Sequence, residues 1–422
     1  MTHETFTLIN AHIINPHSDS EGPGSLTVED GKIASLDGKS KGREIDCFGK
    51  CLAPGIVDLG VKVCEPGERH KESFRSAGAS AIAGGITTIV TRPDTAPTID
   101  TPEILEFFLR RAKDATRVKI VPMAALSKNL EGTEITEMNL LLDVGAIAFT
   151  NGFNSMDSNK NFLLALQYAK DLGALIIGHP QDFSLSKNSS ATSGLFASKQ
   201  GIPSVSPIAE KLGIDRDLTL VRATNTKYHA DQITTEDSLQ SIKLAKLAGL
   251  RVTAGTSIHH LTLNELDIAN YRTFFKICPP LRSEEDRLSI IQGVVDGNID
   301  TISSFHTPQD EESKRLPFEV AASGAVGLET LLPAALQLVH NNFLTLPKLF
   351  KALSLNPSLI TGIPSGTLEI GAAADMVLFD KDAPFIMDRF KLLSKSKNTP
   401  FDERRMQGKV IKTFIDGISV ND

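Results

Sequence analysis

Five side chains carry the chemistry that this chain could perform without a metal: Lys62, Cys64, Asp94, His179 and Cys278. A lysine whose pKa is depressed by burial is a nucleophilic amine. Two cysteines facing one pocket make a reactive thiol pair. Each also has a plainer reading. Lys62 can be an ammonium paired with Asp94 or Asp182. Cys64 and Cys278 can be inert buried thiols. A single histidine at a strand end, as His179 is, serves most simply as a hydrogen-bonding group. His259 and His260 are adjacent, so their side chains diverge and a packing role is expected. His306 is expected to order the last loop of its region. The four cysteines, Cys47, Cys51, Cys64 and Cys278, include one short spacing and no second pair, so they do not spell a zinc site.

The elements that must position these groups are legible as short apolar runs alternating with helical patterns. Candidate strands are Ile56–Val61, Thr87–Thr91, Lys119–Met123, Ala146–Thr150, Ala174–Gly178, Thr226–Ala230, Arg251–Ala254 and Thr301–Ser304. Segments of helical period lie between most of them: Ser73–Ala83, Glu103–Ala112, Asn161–Leu172, Asp237–Ala248 and Glu284–Val295. Eight such units predict a (β/α)8 TIM barrel, with function at the C-terminal ends of its strands. The polar segment Phe183–Ser206, rich in Ser and Gly, is expected to be a loop over that face. Both termini alternate like hairpins: Thr7–Ile14, then Leu26–Val28 and Lys32–Leu36 around Glu29-Asp30-Gly31, and at the other end Met376–Asp380, Val410–Ile415 and Ile418–Val420. The division expected is a β-sandwich from residues 1–54 and 367–422, and a barrel from residues 55–366.

Composition narrows the function. Hydrophobic residues make up 41% and charged residues 23%, as in an ordinary globular protein. A formal charge of −7 gives no electrostatic reason to expect nucleic acid or an anionic membrane as partner. The longest apolar runs, such as Ala79–Val90, are too short and too Gly-rich to span a bilayer. The opening Met1-Thr-His-Glu-Thr has no basic stretch followed by an apolar one, so no secretory leader is expected, and reduced cysteines fit a cytoplasmic location.

Residues 55–67, Gly-Ile-Val-Asp-Leu-Gly-Val-Lys-Val-Cys-Glu-Pro-Gly, resemble the first barrel strand of the dihydroorotase family, which reads Gly-x-x-Asp-x-His-x-His-x-Arg-Glu-Pro-Gly. The likeness continues through Gly84-Gly85-Ile86-Thr87-Thr88, Arg92-Pro93-Asp94-Thr95, Pro279-Pro280-Leu281-Arg282-Ser283-Glu284-Glu285-Asp286-Arg287, Gly327-Leu328-Glu329-Thr330 and Gly371-Ala372-Ala373-Ala374-Asp375. It runs from about residue 50 to residue 385. The resemblance implies an amidohydrolase-type barrel with a β-sandwich from both termini, hydrolysis of a cyclic amide, and zinc as cofactor. It also implies where the metal ligands belong: positions 60, 62, 151, 179, 232 and 305. Here those are Gly60, Lys62, Asn151, His179, Gln232 and Phe305, so His179 is the one good ligand left. A catalytic zinc needs about three protein ligands, and no metal is expected. The substrate-pocket remnants are altered as well: Cys64 for arginine, Asp94 for asparagine, Cys278 for asparagine and Gln309 for histidine. His259-His260 is a pair that the family also carries.

The resemblance therefore implies a pseudoenzyme: an inactive dihydroorotase-like protein of pyrimidine biosynthesis, homo-oligomeric, acting as a structural partner of aspartate carbamoyltransferase. The alternatives are an enzyme of altered, metal-free chemistry and an amidohydrolase that remains active through a non-standard site.

Overall fold

The apolar runs become strands buried on both faces. Ile56–Val61 and Ile86–Thr91 are buried at every residue, as strands of a parallel sheet covered by helices must be. In the computed structural model, which describes residues 4–156 and 158–420, eight parallel strands close a barrel. They are Ile56–Val61, Ile86–Thr91, a third strand in two pieces (Lys119–Pro122 and Ala124–Ala125), Ala148–Thr150, Leu175–Gly178, Lys227–Ala230, Val252–Ser257 and Thr301–Ser303. All eight expected strands are present, within about two residues at most ends. The barrel closes between the eighth strand and the first. The backbone N–H of Lys62 donates to the carbonyl of His306 at 2.9 Å. Asp58 accepts from the Ser304 N–H at 2.8 Å and from its hydroxyl. Burial pushes the Asp58 carboxyl up to about 6, against the opposing pull of those Ser304 bonds.

The helices begin where a hydroxyl can cap them. Ser73 caps Phe74–Ala83, Ser158 caps Asn159–Leu172, Thr235 caps Glu236–Leu247 and Ser283 caps Glu284–Val295, each accepting a backbone N–H from the first turn. The segment Phe183–Ser206 is not the plain loop expected. It holds two short helices, Phe183–Ser186 and Leu195–Gln200, and a two-stranded parallel ladder, Ala191–Thr192 with Ser204–Val205. Its elements are too short to show a period, and each is held by contacts rather than by local pattern. Helix Ile208–Thr224 follows directly. Among the described residues no helix is long and apolar enough to cross a membrane.

Both termini build one eight-stranded sheet. Cys51–Pro54 pairs antiparallel with Met376–Ile386 and parallel with Phe6–Asn15, which joins the two ends of the chain. The Phe6 and Phe414 rings stack at 5.6 Å although their strands lie three ladder steps apart. A flat sheet would hold them roughly 14 Å apart, so the sheet folds over on itself as a sandwich. Leu8, Leu26, Val28, Leu52, Met376 and Leu378 fill its interior. Residues 1–3 and 421–422 of the terminal unit expected from the sequence lie outside the described residues.

Candidate functional site

The C-terminal ends of the barrel strands converge as the fold requires, and three of the six family ligand positions share one backbone feature. Gly60, Gln232 and Phe305 have φ of 76°, 49° and 44°. Non-glycine residues rarely adopt this left-handed region, so the bends that end these strands are held by the surrounding frame. At Gly60 a Cβ atom would lie 2.8 Å from Cε1 of Phe305. The ring, on a residue 6% exposed, therefore lies across the glycine. The two replacements are sterically complementary: one removes a side chain and the other fills the space. Sequence reading identified both losses without showing that they touch.

Lys62 follows the first strand and is held by carboxylates. Its Nζ lies 3.3 Å from Asp94 Oδ2 and 3.4 Å from Glu68 Oε2. The pairing with Asp94 expected from the sequence is present. Asp182, the other candidate, instead caps helix Phe183–Ser186. Two participants went unrecognised. Glu68 also binds Lys71. Arg92, 2% exposed, reaches Asp94 through Nε at 3.1 Å and lies 4.3 Å over the Phe153 ring. Its signal was a charged residue inside the Arg92-Pro93-Asp94 segment, next to the position that drew attention. Burial pulls the Lys62 ammonium down most strongly, but Asp94, Cys64 and Glu68 together outweigh it and the pKa is raised, which is the opposite of the depressed amine that a Schiff-base enzyme needs. Burial likewise raises Asp94, and the Arg92 and Lys62 charges outweigh it, holding the carboxyl below its usual range.

A test follows from the sign of that shift. A depressed carboxyl contributes stability above its unfolded value of about 3.9 and loses it as pH falls toward the folded value. Asp94→Asn should cost about 1–2 kcal/mol at neutral pH, discounted for partial exposure, and its unfolding free energy should fall less steeply than the parent's below pH ~4. Parallel pH slopes in urea denaturation would refute the pairing.

The remaining expected residues separate into two groups. Lys62, Asp94, Gln232, Cys278, Phe305 and Gln309 line one cavity of about 130 Å³. Outside it lies a cleft of about 800 Å³ that His179 and Cys278 line with Phe153. Asn151 is withdrawn. Its Oδ1 accepts from the Ser127 N–H at 3.1 Å and from the Ser127 hydroxyl at 2.8 Å, and its Nδ2 donates to Met156 Sδ. Cys64 is 1% exposed and outside the cavity wall, and burial pushes its thiol up to about 12. Of the two readings the sequence allows, the inert buried thiol describes Cys64, while Cys278 lines the cavity without it, so the two do not form a reactive pair there. Gln309 Nε2 donates to the Ser323 carbonyl at 2.8 Å.

The histidines also divide. His260 Nε2 donates toward the Pro279 carbonyl at 3.1 Å, a structural bond. His259 stacks on Phe401 at 5.8 Å but also lines the cavity, which goes beyond the packing role expected. Burial lowers both to about 3, so both are neutral. His306 accepts the Gly327 N–H on Nδ1 and bridges to Ala325, ordering the last loop as anticipated. His179 Nδ1 donates to Asp231 Oδ1 at 3.1 Å. Burial opposes its charge, but Asp231 and Cys278 prevail and raise the imidazole to about 10.

The zinc that the fold family implies does not fit these residues. The Phe305 ring covers Gly60, the Lys62 ammonium occupies the next position, and no three His, Cys, Asp or Glu side chains among the described residues are grouped to hold a metal. A like charge and an aromatic ring are the wrong chemistry for a dication.

The comparisons with known proteins agree with the frame. A family model described as Dihydro-orotase-like matches residues 49–238. The dihydroorotase of Ehrlichia canis (strain Jake) is 36% identical over 422 aligned residues, covering 98% of this chain and 94% of that protein. The dihydroorotase-like protein of Pseudomonas putida is 35% identical and covers 98% of each chain. The solved L-hydantoinase (dihydropyrimidinase) from Arthrobacter aurescens superposes with a TM-score of 0.89 at 25% identity, covering 99% of this chain and 96% of that one. With this identity sustained along nearly its whole length, the chain belongs to the dihydroorotase-like family of amidohydrolases.

Proposed function

We propose that this chain is a cytoplasmic dihydroorotase-like protein of pyrimidine biosynthesis that lacks dihydroorotase activity and serves as a structural and assembly partner of aspartate carbamoyltransferase. The observation that carries this reading is the Phe305 ring lying over Gly60 beside the Lys62–Asp94 pair. A metal-bound hydroxide makes the nucleophile in this family's chemistry, and these side chains occupy the place where its metal would be held. The barrel frame is intact around them. A frame kept without its metal site is most simply kept for its surface, and a homo-oligomer presenting that surface is part of the proposal.

Two measurements test it. Elemental analysis of chain purified without chelator should find well under one zinc per chain, and dihydroorotate should not turn over. Mixed with the carbamoyltransferase from the same source, the chain should co-elute as a larger complex and raise the transferase's thermal stability, because a partner that binds only the folded state stabilises it. Stoichiometric zinc that disappears in His179→Ala would instead favour an active hydrolase with a non-standard site. Separate elution at micromolar concentration, with transferase stability unchanged, would overturn the partner role.

A further inference from the structure

Four residues that line the cavity of about 130 Å³ each carry a buried polar atom with no hydrogen-bond partner among the described residues. Three of these atoms are nitrogens: Arg92 Nη1, Gln232 Nε2 and His259 Nε2, on residues 2%, 1% and 2% exposed. The fourth is Gln309 Oε1. The bonds made elsewhere by these side chains fix what the free atoms offer. Arg92 directs Nε to Asp94 Oδ1 at 3.1 Å and Nη2 to Asp94 Oδ2 at 3.3 Å, so Nη1 is the unused arm of the guanidinium. The Ser257 hydroxyl oxygen accepts the His259 backbone N–H at 3.1 Å, and its own proton faces His259 Nδ1 at 3.1 Å, which leaves Nε2 as the N–H of a neutral ring. Gln309 donates its Nε2 to the Ser323 carbonyl, so its oxygen is a free acceptor. The charged side chains in the wall are Lys62, Arg92 and Asp94, two cations against one anion. Glu68, the other partner of Lys62, stands outside the wall and is shared with Lys71.

We propose that this cavity is a metal-free binding site for a small hydroxy-carboxylate, of the size and kind of glycolate. A buried donor left without an acceptor is costly, and a carboxylate has two oxygens with lone pairs enough for all three N–H groups. Its negative charge balances the excess cation of the wall, and hydrogen bonds to an ionised group are the strong ones. The ligand's hydroxyl donates to Gln309 Oε1. Volume sets the upper bound on size. A cavity of about 150 Å³ holds one benzene, so this one takes roughly six non-hydrogen atoms, fewer than the cyclic amides of the family have. The ligand enters from the outer cleft, whose wall shares Phe153, Ile277, Cys278 and Ser323 with the cavity. None of the three donors stands at one of the substrate-pocket positions 64, 94, 278 and 309. The site binds its ligand without turning it over. It goes beyond the partner role and depends on neither that role nor the family's metal.

Isothermal titration calorimetry of the full chain in excess chelator tests this with three probes of equal heavy-atom count. Glycolate should bind saturably with one site per chain and raise the thermal midpoint as its concentration rises. Glycolamide has the same shape without the charge, and should bind at least about tenfold more weakly, the scale of a hydrogen bond to a charged group. Propionate keeps the charge and lacks the hydroxyl, and should be weaker by about tenfold. Gln232→Glu keeps the side-chain shape and turns a donor into a negative charge, so it should lose glycolate binding. Arg92→Lys keeps the positive charge and removes Nη1, and should weaken glycolate at least about tenfold. Near-ultraviolet circular dichroism checks folding, and if either variant does not fold, the three probes on the parent protein decide. No saturable binding of glycolate up to about 50 mM, a weak limit for so small a ligand, would assign the cavity to water and overturn the proposal. Glycolamide bound as tightly as glycolate, or glycolate bound unchanged by Gln232→Glu, would overturn it as well. None of these results bears on the zinc analysis or on co-elution with the carbamoyltransferase, so the two readings fail separately.

Discussion

Glu210→Ala should destabilise the protein by about 3–5 kcal/mol, the scale for leaving a buried charge without its partner. Glu210 is 0% exposed and Arg282 2%. One Glu210 oxygen accepts the backbone N–H groups of Thr234 at 2.8 Å and Thr235 at 3.0 Å. The other meets Arg282 Nη2 and Gln181 Nε2, each at 3.2 Å, and the Thr234 hydroxyl. Arg282 extends the network to Thr192 in the insertion. One ion pair thus ties helix Ile208–Thr224, the loop after the sixth strand, the insertion and the Pro279–Arg287 segment. That gives Arg282 of the family-like Pro-Pro-Leu-Arg motif a structural role that does not depend on a metal. Arg282→Met should cost a similar amount. The double variant Glu210→Ala/Arg282→Met should lose less than the sum of the two, because no lone charge remains buried. Urea denaturation of the three variants measures this, and a loss below ~1 kcal/mol for Glu210→Ala would contradict it.

Restoring the first family ligand should harm the fold. Gly60→His places a side chain on a backbone with φ of 76°, with its Cβ 2.8 Å from the Phe305 ring. A left-handed residue other than glycine costs about 1–2 kcal/mol, and forcing atoms into a filled core about 1–3 kcal/mol, so a loss of about 2–5 kcal/mol is expected. Phe305→Asp added to it relieves the clash and should recover part of that loss. Zinc should still not bind, since Lys62 remains paired in the site and Asn151 remains held by Ser127. Denaturation midpoints and zinc titration of the single and double variants decide the matter. A Gly60→His chain as stable as its parent would show that the ring moves aside freely.

The success and failure of sequence reading followed the range of the interactions. Strands such as Ile56–Val61 and helices such as Glu284–Val295 were readable because burial on two faces writes an apolar run and a hydroxyl cap writes a start. The insertion 183–206 was not, because its two-residue ladder strands carry no period of their own. The Lys62–Asp94 pair was inferred because both positions depart from the same family pattern. Glu68 joins that ion cluster through folding alone and left no comparable mark, while Arg92 left one in its charge two residues before Asp94.

Local periodicity, a property of the chain, makes the barrel and the terminal sheet legible, and the resemblance to the dihydroorotase family implies that positions 60, 62, 151, 232 and 305 lack the family's metal-ligating side chains. Only the tertiary structure decided what replaced them. Phe305 meets Gly60 because the eighth strand closes against the first, more than 240 residues away in sequence, as in the Ser304–Asp58 contact. Asp231 meets His179 because the fifth and sixth strands pair in one register and no other. A one-residue slip would turn both side chains to the opposite face, and no residue type or spacing records that choice.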